Sequence, residues 1–95
     1  MLNELTKEML VCESLMYKTV DAVLEDGGVW ITYELLYLKK GRGVYILRVD
    51  TENDEAIECI SNNSDEAERI FERISNGLVT PCGLYDSLHE IKNSI

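Results

Sequence analysis

Ninety-five residues leave room for one hydrophobic core and not for two. Eighteen Asp and Glu against nine Lys and Arg give a net charge of -9, which argues against nucleic-acid phosphate as the main ligand, because phosphate binding rests on Lys and Arg. A hydrophobic fraction of 45% excludes a disordered acidic tail.

At the N-terminus, Glu4, Glu8 and Glu13 interrupt every apolar run of MLNELTKEMLVCESLMYK. Neither a secretory signal nor a membrane span is expected there, and the protein is expected in the cytoplasm with no membrane partner. The first thirty residues fit two periods. Leu5, Met9, Cys12, Met16, Val20 and Val23 fall on one helical face, whereas Met16, Val20, Ala22 and Leu24 fall on one strand face, with Lys18 the exception. Asp26-Gly27-Gly28 serves as a helix stop or as a hairpin turn. The balance favours a hairpin of 17–25 with 29–38, and the stretch 3–15 stays open between helix and strand.

From residue 31 the period is two. ITYELLYL (31–38), VYILRV (44–49) and EAIECIS (55–61) read as three strands joined by KKGRG and by the turn Asp50-Thr51-Glu52-Asn53-Asp54. The third strand sets Ile57 and Cys59 on one face and Glu58 and Ile60 on the other. The period then becomes 3.6. Asn63 with Glu66 reads as a capping box, Ala67, Ile70, Phe71, Ile74 and Leu78 form an apolar stripe, and Asn76-Gly77 supplies a left-handed helix end. A second helix starts at Thr80-Pro81, with Thr80 as cap, Val79 and Leu84 as a hydrophobic staple, and Leu84, Leu88 and Ile91 as its stripe.

The predicted fold is therefore α+β: an antiparallel β-meander of three to five strands followed by two C-terminal helices, 63–76 and 81–92, packed on one sheet face. The helix-covered face is assigned Tyr33, Leu35, Tyr45, Leu47, Val49 and Ile57. Two helices cover one sheet face and not two. Trp30, Leu36, Leu38, Val44 and Ile46 then face outward or meet the N-terminal segment, and uncovered they form an interface patch.

The chemistry-bearing residues assemble into no recognisable site. Asp50–Asp54 spaces carboxylates as a calcium loop does, but Glu55 and Ser61 stand where that loop needs Gly and Glu. Cys82, at a helix start, is the residue nearest to reactive-thiol chemistry. Its one imidazole, His89, lies two helical turns away, about 10.5 Å along the axis. Cys12, Cys59 and Cys82 form no short-spaced pair. No catalytic, cofactor-binding or metal-binding set is assigned. Charge is uneven: 39–48 carries +4 from Lys39, Lys40, Arg42 and Arg48, and 50–73 carries -7 from nine acids against Arg69 and Arg73.

The order ITYELLYLKK, GVYILRVD, EAIECIS, AERIFERIS and NGLVTPCGLYDSLHEI, with Val79-Thr80-Pro81 and Leu84…Leu88 as its motif, resembles a family of short uncharacterised clostridial and related Firmicutes proteins, a domain of unknown function. The resemblance covers about residues 31–92. It implies a strand trio, a helix and a closing helix in a bacterial cytosolic setting, and it implies no activity.

These readings converge on a non-enzymatic interaction or regulatory protein, a homodimer through the sheet face or edge that also meets an unidentified protein. Two other classes compete: an acidic mimic or inhibitor of a nucleic-acid-binding protein, suggested by the -7 stretch, and a small-molecule binder or thiol enzyme using Cys82.

Overall fold

Alternation of apolar and polar residues builds a four-stranded antiparallel sheet in the order β1-β2-β3-β4, formed by Leu15–Leu24, Val29–Leu38, Val44–Thr51 and Glu55–Ser61. A computed structural model describes residues 14–24, 28–39 and 43–94. The hairpin reading of the N-terminal region holds over 15–24, and the helical reading of Met16, Val20 and Val23 does not. Residues 3–13 lie outside the described ones, as do Glu25–Gly27 of the first turn and Lys40–Arg42 of the second. Two helices follow, α1 (Ser64–Asn76) and α2 (Leu84–Ser94), with a 3-10 turn at Pro81–Gly83 between them.

Helix α1 lies over β2, β3 and β4, while α2 meets α1 and β4. The shared core joins Ile31, Tyr33, Leu35, Tyr45, Leu47, Val49 and Ile60 of the sheet to Ala67, Ile70, Phe71, Ile74, Leu84, Leu88 and Ile91 of the helices. Each large apolar side chain buried there contributes about 1.5–3 kcal/mol relative to exposure. The faces of β4 are as expected, but their assignment reverses. Ile57 lies opposite Arg48 on the far face, and Ile60 reaches the helices. That phase is set at the turn, which pairs Asp50 with Glu55 and so brings Ile57 opposite Arg48; the register shift between Tyr45 and Ile46 lies beyond it, with Ile60 as the extra residue.

Strand β1 carries a bulge of its own. Its register with β2 shifts between Met16 and Lys18, so Met16 opposes Leu36 while Val20 opposes Tyr33. Met16 and Val20 therefore occupy opposite faces, against the sequence expectation. Lys18, the exception to the apolar pattern, keeps to the helix-covered face. Its ammonium stands 5.9 Å from the centroid of the Phe71 ring and 4.0 Å from Glu72, so its stem lies along apolar surface while its head stays in water.

Asn63 caps α1 as expected: its side-chain oxygen accepts from the Glu66 N–H at 3.0 Å. The capping box is not reciprocal, because the Asn63 N–H donates instead to the Ser61 hydroxyl at 3.0 Å. The C-terminal end differs more. Gly77 has φ -81, and Leu78 takes the left-handed conformation at φ 52. Leu78 thus leaves the apolar stripe and stands exposed. Its conformation lets the Val79 N–H return to the Ile74 carbonyl at 3.3 Å and turns the Val79 side chain onto the core. A left-handed leucine costs roughly 1–2 kcal/mol. The same geometry aims the Val79 carbonyl at the sheet, where it accepts from the Tyr33 hydroxyl at 2.9 Å. Thr80 makes no side-chain cap. The chain enters α2 through the 3-10 turn, whose Gly83 N–H donates to the Thr80 carbonyl.

At the end of the second turn Gly43 has φ +81, and its Cα packs on the Tyr37 ring so closely that a Cβ would collide with the Tyr37 hydroxyl. Gly43→Ala meets both the left-handed backbone and this clash, and its cost is expected to be about 2 kcal/mol or more, read as a drop in the urea midpoint at constant slope.

Burial pushes the Tyr33 phenol up to about 12 from its ordinary 10.0. The folded state therefore keeps a proton that the unfolded chain releases. The associated stability is fully present below pH 10 and is lost as pH rises through 12. Tyr33→Phe is expected to cost about 1 kcal/mol at neutral pH for the lost hydrogen bond. It should also show a smaller fall in urea stability between pH 10 and pH 12 than the unmodified protein; an identical alkaline profile would rule out the buried phenol as its source.

Candidate interaction surface on the β1 edge

The face of the sheet away from the helices is banded. At the hairpin end, Trp30 opposes Val23, and both are exposed. Next, Thr32 donates its hydroxyl to Asp21 at 2.9 Å. Beyond that, Arg48 bonds Glu34 at 2.6 Å and Glu55 at 2.7 Å, with Asp50 at 3.6 Å. At the far end Leu36, Leu38, Ile46 and Ile57 form a second buried cluster, with the half-buried Val44 against it. The five residues expected to share one open patch are therefore split. Leu36, Leu38 and Ile46 are buried within the single chain, Val44 is half-buried, and Trp30 is 66% exposed and cut off from them by the polar belt.

The belt also explains part of the charge pattern. Arg48 belongs to the basic segment and Asp50 and Glu55 to the acidic one, and the structure ties them together. Burial works against the Arg48 charge, but the Glu55 hydrogen bond and the nearby Glu34, Glu55 and Asp50 carboxylates more than offset it and hold the guanidinium above its ordinary pKa. With Lys18 drawing Glu72, the acidic stretch is not a bare acidic strip.

The apolar surface that is open lies elsewhere. Strand β1 stands at the sheet edge, and among the described residues no strand pairs with its outer side. Along it Leu15 is 68% exposed, Met16, Tyr17, Val20 and Val23 are also exposed, and Trp30 stands beside Val23. Only Lys18 and Asp21 are charged among its ten residues. A long, weakly charged edge strand offers N–H and C=O groups to another strand and normally carries blocking features. Sequence reasoning did not single out Leu15, Met16, Tyr17, Val20 or Val23 as a surface. The available signal was LMYKTVDAVL itself, apolar at both parities and so not fitted to one buried face.

Tyr17 packs edge-on to Tyr45 at 5.4 Å, and Tyr37 lies 4.8 Å from Tyr45. Desolvation, followed by the charges of Tyr17 and Tyr37 when ionised, holds Tyr45 above its ordinary pKa. This trio anchors the bulged end of β1 to β3. The basic tip that these tyrosines flank lies, at Lys40, Gly41 and Arg42, outside the described residues.

The remaining candidates are placed as follows. Cys82 is exposed in the 3-10 turn, Cys59 is exposed on β4, His89 is exposed on α2, and Cys12 lies outside the described residues. The acidic turn closes on itself: the Thr51 N–H donates to the Asp54 carbonyl at 2.8 Å, the Asp54 N–H to the Thr51 hydroxyl at 3.1 Å, and the Glu55 N–H to the Asp54 carboxylate at 3.1 Å. Among the described residues no three His, Cys, Asp or Glu side chains converge as metal ligands. An open cleft of 350 Å³ between α1 and α2 is walled by Arg73, Ile74, Val79, Ser87, Glu90 and Ile91. Among the described residues no helix is long and apolar enough to cross a membrane.

Comparison with protein-family models, with curated proteins and with solved structures gave no match.

Arg48→Met leaves Glu34, whose side chain is 13% exposed, without its cation. The loss is expected to be about 1–3 kcal/mol, between the values for exposed and for buried pairs. Pairing it with Glu34→Leu should recover most of that loss in urea titrations, because the stranded carboxylate is then gone.

Proposed function

We propose that this protein is a small acidic cytosolic interaction or regulatory module, non-enzymatic, acting as a homodimer whose docking element is the β1 edge. The observation that carries this reading is the ten-residue edge strand with Leu15, Met16, Tyr17, Val20 and Val23 exposed. Burial of Leu36, Leu38 and Ile46 within one chain moves the docking element from the sheet face to the edge. The likeness of residues 31–92 to short Firmicutes proteins supports a bacterial setting for such a module and brings no reaction with it. Pairing of edge strands supplies affinity through main-chain hydrogen bonds, while side chains of alternate residues supply selectivity. A ladder of one strand buries less than a standard interface, so the dimer dissociates on dilution.

Sedimentation at rising micromolar concentrations is expected to approach twice the chain mass of 10.8 kDa. Each copy carries -9, so added salt screens repulsion and tightens the dimer, the reverse of an association driven by opposite charges. Val20→Lys should weaken association about tenfold or more by setting a cation on the edge. A strict monomer at every concentration, or a Val20→Lys variant that associates as well as the unmodified chain, overturns the reading.

A further inference from the structure

The geometry points to a second copy of this chain docked antiparallel, β1 against β1, with Val20 of one copy directly opposite Val20 of the other, so that two four-stranded sheets become one of eight strands. This rests on the edge-docking reading above and adds the register.

Two antiparallel copies of one edge strand are related by a twofold axis perpendicular to the sheet. Such an axis keeps every residue on its own face, so opposed residues must point to the same face. In β1 the pairing with β2 fixes those faces. Lys18, Val20 and Ala22 lie with Leu35, Tyr33 and Ile31 on the helix-covered side, while Thr19, Asp21 and Val23 lie with Glu34, Thr32 and Trp30 on the other. The axis must then pass through a residue, and few choices survive.

An axis at Lys18 opposes two ammonium groups, and an axis at Asp21 opposes two carboxylates; like charges directly across a ladder destabilise it. An axis at Ala22 leaves Lys18 and Thr19 beyond the strand of the second copy. An axis at Thr19 sets the branched Val20 against the Lys18 stem twice and aims the Asp21 carboxylate at the Tyr17 bulge. An axis at Val20 meets none of these objections. Val20 packs on its own copy, and Lys18 crosses the small Ala22. The Thr19 hydroxyl faces the Asp21 carboxylate, which accepts one bond from Thr32 at 2.9 Å and has lone pairs left for a second. Val23, beside the exposed Trp30, meets the Met16–Tyr17 bulge of the second copy. The exposed apolar residues Val20, Val23, Met16 and Tyr17 thus find apolar partners in a single register.

The test is oxidative cross-linking of the full chain carrying Cys12→Ser, Cys59→Ser and Cys82→Ser, with one new cysteine at a time. Opposed residues in an antiparallel pair have Cα atoms about 4.5–5.5 Å apart, within disulfide reach. A residue offset by two positions from its own copy is about 8 Å from it, beyond that reach. Val20→Cys is expected to cross-link with itself in high yield. Thr19→Cys and Asp21→Cys are each expected to stay monomeric alone and to cross-link when mixed. Self-linking of Thr19→Cys or of Asp21→Cys in place of Val20→Cys overturns the register. A dimer by sedimentation that none of the three cysteines captures overturns β1 pairing but leaves homodimerisation standing. A monomer by sedimentation overturns both.

Discussion

The fold depends on the register of β2 against β3. Tyr33 opposes Val49, Leu35 opposes Leu47, and Tyr37 opposes Tyr45, which sets three pairs of apolar side chains on the face that α1 and α2 cover. The same register sets Leu36 against Ile46 and Glu34 against Arg48 on the other face. A slip of β2 by one residue would turn Tyr33 and Leu35 outward and bring Glu34 under the helices. Both central strands are therefore committed on both sides, and the elements added at either edge inherit their phase. The Tyr33 hydroxyl extends that control to the helices, because its bond to the Val79 carbonyl fixes where the chain turns between them.

Much of this was legible in the residues. The two central strands, the strand at Glu55–Ser61 and both helices follow from hydrophobic period, and the cap at Asn63 follows from its side chain. The illegible parts have local causes. The bulge at Tyr17 reverses Met16 relative to Val20 and carries no Gly or Pro to mark it. The phase of β4 is set by which residues the acidic turn pairs, Asp50 with Glu55, so Ile57 falls with Arg48 and Ile60 reaches the helices. The end of α1 shows a different limit. Gly77 offers the conformation that the turn needs, yet the turn needs it one residue later, at Leu78. Pattern reading finds the residue suited to a geometry, whereas the position is set by where Val79 must go. The open β1 edge was the least legible, because a strand apolar at both parities resembles an ambiguous helix until its neighbours are known.

Charge divides into two uses. Some is consumed internally: Arg48 gathers Glu34, Asp50 and Glu55 around one half-buried guanidinium, which separates the buried apolar cluster from the exposed hairpin end. Under the proposed pairing, the rest would give each copy a repulsive field that keeps apolar edges apart at low concentration.

The two edges of the sheet are unlike, and that difference limits what self-pairing can build. The far edge, β4, is seven residues long, begins at Glu55, and carries Glu58 in its middle. Short length and charge are the features that stop an edge from accepting a strand. A sheet adhesive on both sides would add copies without end and grow a filament. Under the proposed β1 pairing, a sheet adhesive on one side would consume that side in its first encounter, so growth would terminate at two copies, and the acids of β4 rather than any property of β1 would make the assembly finite.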